Sequence, residues 1–264
     1  MIYELKNCLP GWMERAVIRI WYLMRPAVRI ACAGRAHRCP VCETSVRQFL
    51  PHKLTSMRRR IVCPVCLSHP RHRMAWICLR MRTPLFDGVP KLLLHFAPET
   101  EFARRFRSAP SIRYMSVDLD SPHAMARMDI TALTLPDCSV DAIYCSHVLE
   151  HVAADRTAMR EMHRVLKPGG WAAVQVPLGS GPTNEDPSIT DRRERTRLFG
   201  QHDHVRRYGP DVRERLAEAG FDVMTVRGRD LESPEMCTLH GFSPDEVVFL
   251  CTRPAVATGR SQGP

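Results

Sequence analysis

Residues 114–152 read YMSVDLDSPHAMARMDITALTLPDCSVDAIYCSHVLEHV, and residues 158–177 read AMREMHRVLKPGGWAAVQVP. Two apolar runs of strand length, 112–117 and 140–145, stop at polar residues, Asp118 and Ser146. A third run covers 171–176. Between the second and third, 155–166 has helical character, and Gly169-Gly170 turns the chain out of it, as glycine does past a helix C-terminus. Strands that alternate with helices predict a parallel sheet covered on both faces. In such sheets the ligand crevice lies beyond the C-terminal ends of the strands, where Asp118, Ser146 and His147 fall.

The same texture extends outward. Further strand-like runs occupy 92–96, 221–226 and 247–251, and helix-like segments occupy 99–107 and 210–219. The α/β domain is therefore expected over 89–253. Within it, 178–209 breaks the rhythm: it is long, polar and rich in Pro, Gly, Asp and Arg, and is read as a lid or substrate segment. Ahead of the domain, 39–88 holds two cysteine pairs, a helix over 68–82 and a Pro/Gly linker over 83–90. Residues 11–33 read as a basic amphipathic helix with a break expected at Pro26. The tail, 254–264, is expected to be disordered. No internal repeat is present.

The chain has 264 residues, a formal net charge of +10 and 11 cysteines. The charge is uneven: residues 1–88 carry 16 Lys/Arg against 4 Asp/Glu, and the rest carry 22 against 24. A basic first third suits an anionic partner, or a solvated arginine face. Met1–Pro10 lacks an apolar core of signal-peptide type, and no long uncharged apolar run predicts a membrane span. A cytoplasmic protein is expected, with peripheral contact at the inner membrane through the N-terminal helix as an alternative to that helix packing on its own protein. Cys39-Pro-Val-Cys42 and Cys63-Pro-Val-Cys66 offer four thiolates, the closed tetrahedral donor set of a structural Zn2+ site.

The stretch from Leu135-Pro136-Asp137 to Asp141, then Ser146–His151 and Arg164–Gly170, resembles the methyltransferase domain of class I S-adenosylmethionine enzymes (type 11-like) over roughly 91–251. The resemblance implies a Rossmann-like, mostly parallel seven-stranded sheet with helices on both faces, preceded here by a small zinc-ribbon-like module. It implies S-adenosyl-L-methionine as cofactor. Asp118 would hold the ribose, with Leu119 beside it. Asp129 and the Ile130 backbone would meet the adenine, and Ser146 and His147 the methionine end. The usual glycine-rich turn after the first strand is replaced by Leu94-His95-Phe96-Ala97-Pro98-Glu99. This version is similar to a bacterial subgroup with the same turn and an upstream zinc module, and His95, Phe96, Ala97 and Glu99 are its cofactor candidates. The subgroup resemblance extends to Asp203-His204-Val205-Arg206.

Methyl transfer requires an aligned acceptor and, for O–H or N–H acceptors, a base. His204 is the first candidate, with Asp203 orienting it; His147 and His151 are the others. His202, Arg206 and Tyr208 are candidates for gripping an acidic or sugar-like acceptor. The acceptor classes are a small molecule or glycan first, and RNA second, given the basic first third. A third reading is a non-catalytic partner protein, motivated by the absent glycines. Oligomeric state is not encoded in these motifs.

Overall fold

The computed structural model describes residues 11–51 and 60–255. In chain order the elements are α1 (Gly11–Ala31), β1 (Ala33–Cys39), β2 (Thr44–Val46), β3 (Leu50–Pro51), β4 (Arg60–Val62), α2 (Pro70–Arg82), β5 (Lys91–Phe96), α3 (Thr100–Ser108), β6 (Ile112–Asp118), β7 (Ala126–Arg127), β8 (Val140–Ser146), α4 (Asp155–Val165), β9 (Leu166–Gln175), β10 (Asn184–Glu185), α5 (Arg192–Phe199), β11 (Arg206–Arg207), α6 (Val212–Glu218), β12 (Asp222–Arg227), α7 (Pro234–His240) and β13 (Val247–Thr252). The chain divides into two compact units. The first comprises residues 1–84, 100–102 and 226–247; the second comprises 85–99, 103–225 and 248–264. Residues 226–247, read from sequence as part of the C-terminal domain, thus cluster with the cysteine module.

The central sheet has seven strands in the order β12-β13-β9-β8-β5-β6-β7. β5 pairs in parallel with both β6 and β8, and β8 in parallel with β9, whereas β13 runs antiparallel to β9. β5 reads KLLLHF and is buried almost throughout, as a strand covered on both faces must be. Its start is fixed by Asp141, whose carboxylate accepts from the Leu92 amide at 2.8 Å and pairs with Lys167 at 2.7 Å. α4 covers the sheet with Ala158, Met159, Met162 and Val165, the buried face of an amphipathic helix.

In the first unit, α1 runs unbroken through Pro26. A mid-helix proline removes one backbone bond, and the turns beside it are anchored by side chains. Trp21 Nε1 and Arg25 Nε both donate to the Val65 carbonyl, at 3.3 and 3.1 Å, and Arg25 pairs with Glu101 at 3.1 Å. Ile20, Leu23, Met24 and Ile30 remain exposed on this helix. The side chains of Trp12, Arg15, Val17 and Ile18 lie outside the described residues, as does the tail from residue 256. No helix among the described residues is long and apolar enough to cross a membrane.

Segment 178–209 is folded structure. β10 pairs antiparallel with β11, and α5 is capped by Asp191, which accepts from the Arg193 and Glu194 amides. α5 closes at Gly200 in a left-handed conformation (φ 91°). A parallel bridge joins Leu178 to Tyr208.

Candidate functional site

The four cysteines of the C-P-V-C pairs are all buried, and their sulfur atoms lie within 4.8 Å of one another. Cys39 and Cys66 sulfurs are 3.6 Å apart, Cys42 and Cys63 sulfurs 3.7 Å. A tetrahedral zinc with bonds near 2.3 Å has sulfur–sulfur edges of about 3.8 Å, so the donor set fits that ion and not disulfides, whose sulfurs sit at about 2.0 Å. Burial and the neighbouring sulfurs push the Cys66 thiol well up. Cys39 is held down despite its burial, through hydrogen bonds from the other three cysteines and Ser68. In a dry cluster of this kind some thiolates are supported by their neighbours, and ionisation of all four calls for a cation among them. Arg73, fully buried, is the part the sequence reading missed. Its guanidinium donates to the carbonyls of Ser68 (2.6 Å), His240 (2.6 Å), Ile61 (2.9 Å) and Gly241, and lies 4.2 Å over the Phe49 ring.

Of the expected cofactor residues, Ala97, Asp118 and Ser146 fall on one edge of the sheet. Phe96 is level with Val117 of β6 and Cys145 of β8, and Ser146 is level with Gln175 of β9. The next positions, Asp118, Ala97, Ser146 and Gln175, therefore form a row at the C-terminal ends of four adjacent strands. Ala97 adopts φ +48°, the left-handed region that glycine favours, and its amide donates to Val117 O at 3.0 Å. His95 points away from this row into the core. It is fully buried, with Nδ1 3.0 Å from Tyr114 Oη and Nε2 2.7 Å from Glu99 Oε2. Glu99 stands at the N-cap of α3, so the His95–Glu99 pair braces the turn from inside. Asp118 Oδ1 accepts from the Asp120 and Ser121 amides at 2.8 and 2.7 Å, which fixes the carboxylate at the strand end. Among the described residues its Oδ2 accepts no hydrogen bond. Leu119 is half exposed beside it. Asp129 is exposed; the amide and hydroxyl of Thr131 hold its carboxyl below the usual range. Ile130 is buried. Ser146 Oγ donates to Gln175 Oε1 at 3.4 Å.

Past β8 the chain enters a short 3-10 turn, Leu149–His151. His147 is left-handed (φ +55°), a backbone cost that non-glycine residues bear mostly at functional sites. Its Nδ1 lies 3.0 Å from Oε1 of Glu150. Glu150 is fully buried. Burial opposes its ionisation, but His147 prevails and keeps the carboxyl below its ordinary range. The 201–208 segment packs on this turn: the Val205 amide donates to Glu150 O at 2.9 Å, and the His151 and His204 rings meet edge to face at 4.7 Å. Asp203 faces His151 (3.4 Å) and not His204, which instead donates Nδ1–H to Phe199 O at 3.0 Å. The expected Asp203–His204 pair is thus replaced by Asp203–His151. His202 is half buried.

Two acceptor candidates are committed elsewhere. Arg206 is 4% and Tyr208 0% exposed. Arg206 binds Glu185 (2.8 Å) and the carbonyls of Leu149, Val152 and Ala153; Tyr208 donates to Asp155 Oδ2 at 2.7 Å. Arg215 completes the knot with Asp155 (3.0 Å) and Glu185 (2.7 Å). These residues pin segment 178–209 to α4 and the 3-10 turn, so they hold the site without facing it.

A parallel sheet with a row of polar residues at its C-terminal edge is shared by several nucleotide-binding folds, and the family model decides among them: residues 101–174 match the methyltransferase domain. Over that stretch the chain is similar to the methyltransferase domain. Outside the family model, an uncharacterised 37.1 kDa protein in transposon TN4556 of Streptomyces fradiae is 38% identical over 103 residues, 37% of this chain and 29% of that one. The match therefore spans less than a third of the relative's length. Among solved structures, the chain is similar to Burkholderia thailandensis 1,6-didemethyltoxoflavin-N1-methyltransferase, at 17% identity over 69% of this chain and 76% of that one, with a TM-score of 0.47. It is also similar to Haemonchus contortus phosphoethanolamine N-methyltransferase 2, at 15% identity over 69% and 53% of the chains, with a TM-score of 0.48.

Proposed function

We propose that this protein transfers a methyl group from S-adenosylmethionine to an oxygen or nitrogen of a small-molecule or glycan acceptor. The observation that supports it best is the row Asp118–Ala97–Ser146–Gln175 at the edge of the methyltransferase sheet. When bound, the sulfonium cofactor supplies an electrophilic methyl group. The residues of this chain hold and orient. The free oxygen of Asp118 is placed for ribose hydroxyls, and Leu119 and Asp129 for the base. The tight Ala97 turn keeps side-chain bulk out of the crevice, and Ser146 and His147 stand at the methionine end. The imidazoles and carboxylates of the 3-10 turn and the 201–204 segment handle the acceptor and its proton. The four-cysteine centre is read as a structural zinc site, since all its positions are filled by sulfur.

The test is calorimetric titration of the purified chain with S-adenosylmethionine and S-adenosylhomocysteine. Micromolar binding is expected. A charge-assisted hydrogen bond contributes about 1.5–3 kcal/mol, so Asp118→Ala should weaken binding by about 10- to 100-fold with circular dichroism unchanged. Equal affinity in the variant would remove the ribose assignment, and no binding by the folded parent would remove the enzyme reading. The excess of 16 Lys/Arg over 4 Asp/Glu in residues 1–88 favours RNA as the second acceptor class. An acceptor screen on the same protein should therefore include RNA at low and high salt.

A further inference from the structure

We infer that Glu150, His151 and His204 form a second metal site, separate from the four-cysteine centre, that takes a divalent first-row cation such as Zn2+. One ligand atom from each residue lies within 4.8 Å of the others. The two imidazoles meet edge to face, with ring centroids 4.7 Å apart. Each ring has its Nδ1 turned to an oxygen: His204 to the Phe199 carbonyl at 3.0 Å, His151 to the Asp203 carboxylate at 3.4 Å. That arrangement is how metal-binding imidazoles are oriented, because an acceptor on one ring nitrogen fixes the tautomer that leaves a lone pair on the other. Nε2 of each ring is therefore the donor atom.

Glu150 is the independent observation. Its side chain is fully buried; Oε1 faces Nδ1 of His147 at 3.0 Å, and among the described residues Oε2 has no hydrogen-bond partner. A buried carboxylate oxygen left without a partner is costly, and a cation between it and the two rings removes that cost. The ligand types, two imidazoles and one carboxylate, are those of open zinc and non-haem iron sites, which keep positions free for an exogenous ligand. Metal–ligand bonds near 2.0–2.2 Å place donor atoms about 3–4 Å apart, so closure needs only a small ring movement. His151, the exposed member, is free to make it. Because Glu150 and His151 begin four residues past the strand end that carries Ser146, the open positions would take an oxygen donor of the acceptor, a hydroxyl or enol, and lower its pKa. This deepens the proposed reading of the same sheet edge and rests on it for the acceptor chemistry alone.

The test is metal analysis of the full-length chain, equilibrated with Zn2+ and desalted, beside Co2+ spectroscopy. About two zinc ions per chain are expected in the parent, and about one in His151→Ala and in His204→Ala. A Cys39→Ser/Cys66→Ser double variant should keep the second ion. In the parent, the second cobalt equivalent should add ligand-field bands without thiolate charge transfer, a readout that needs no variant to fold. One zinc per chain, unchanged by the histidine variants, would overturn the inference. S-adenosylmethionine binding separates the two claims. Binding with a single, sulfur-held metal leaves the methyltransferase reading standing and this site refuted; two metals without cofactor binding supports this site and refutes the reading.

Discussion

Ala97 takes a left-handed backbone conformation, which glycine adopts without steric cost, at φ +48°. A left-handed backbone costs an L-residue about 1–2 kcal/mol, part of which glycine loses again through its larger unfolded-state entropy. Ala97→Gly is therefore expected to leave stability unchanged or raise it by up to about 1 kcal/mol, whereas Ala97→Val, branched at Cβ, should lower it by about 2 kcal/mol. Denaturant midpoints of the two variants check this, and a destabilised glycine variant would show that the methyl group packs productively. From sequence, the first motif departs from the glycine-rich pattern; the dihedral angle shows that Ala97 itself takes a left-handed conformation of the kind glycine favours. The places of Asp118 and Ser146 at the ends of β6 and β8 were legible because each polar residue closes an apolar run of strand length. Glu150 was not, since a carboxylate two residues into a turn looks alike whether buried or solvated.

At the scale of elements, the motif residues Arg164 and Asp137 turn out to build the approach to β8. Arg164 donates to the Leu133 and Leu135 carbonyls, each at 2.9 Å, and pairs with Asp137 at 2.6 Å. The 178–209 segment is held in the same manner by Asp155, Glu185, Arg206, Tyr208 and Arg215. Arg206 and Tyr208 were misread from sequence because their partners are distant in the chain, and a polar run does not say which way its side chains face. Hydrogen bonds from Arg215, and then Arg206, hold the Glu185 carboxyl down to about 2. Its ordinary value is about 4.3. Because the folded value is the lower one, the stabilisation is fully present above the ordinary value and is lost as pH falls through about 2. Arg215→Met should flatten that acid limb. It should also cost about 3 kcal/mol at neutral pH, because Asp155 stays buried with a partner missing. Urea melts of parent and variant between pH 2 and pH 7 measure both, and an unchanged acid limb would show that Glu185 is not what couples this segment to pH.

On the scale of the whole molecule, the two units draw on different sources of stability. The central sheet is buried on both faces by apolar side chains such as Leu93, Leu94, Ile143, Ala173 and Val174. The first unit closes around four sulfurs and one arginine, with strands of two to seven residues. Its C-P-V-C pairs were plain in the sequence, but the recruitment of residues 226–247 was not, because nothing local marks α7 as a neighbour of Arg73 and Phe49. Structural zinc contributes apparent binding energies of about 10–16 kcal/mol in small domains, comparable to or above the roughly 5–15 kcal/mol that holds a whole domain folded. A zinc ion held by the four sulfurs would therefore contribute as much as the whole net stability of a small domain. Chelation at neutral pH, or Cys39→Ser, should remove the sulfur-held ion and expose the amides of β1, β2 and α2 to rapid hydrogen exchange. The strands β5, β6, β8 and β9 should keep their protection. Hydrogen exchange read by mass spectrometry, before and after chelation, separates the two sets of peptides. Undiminished protection of β1 and α2 in metal-free protein would show that the buried cluster and Arg73 suffice without an ion.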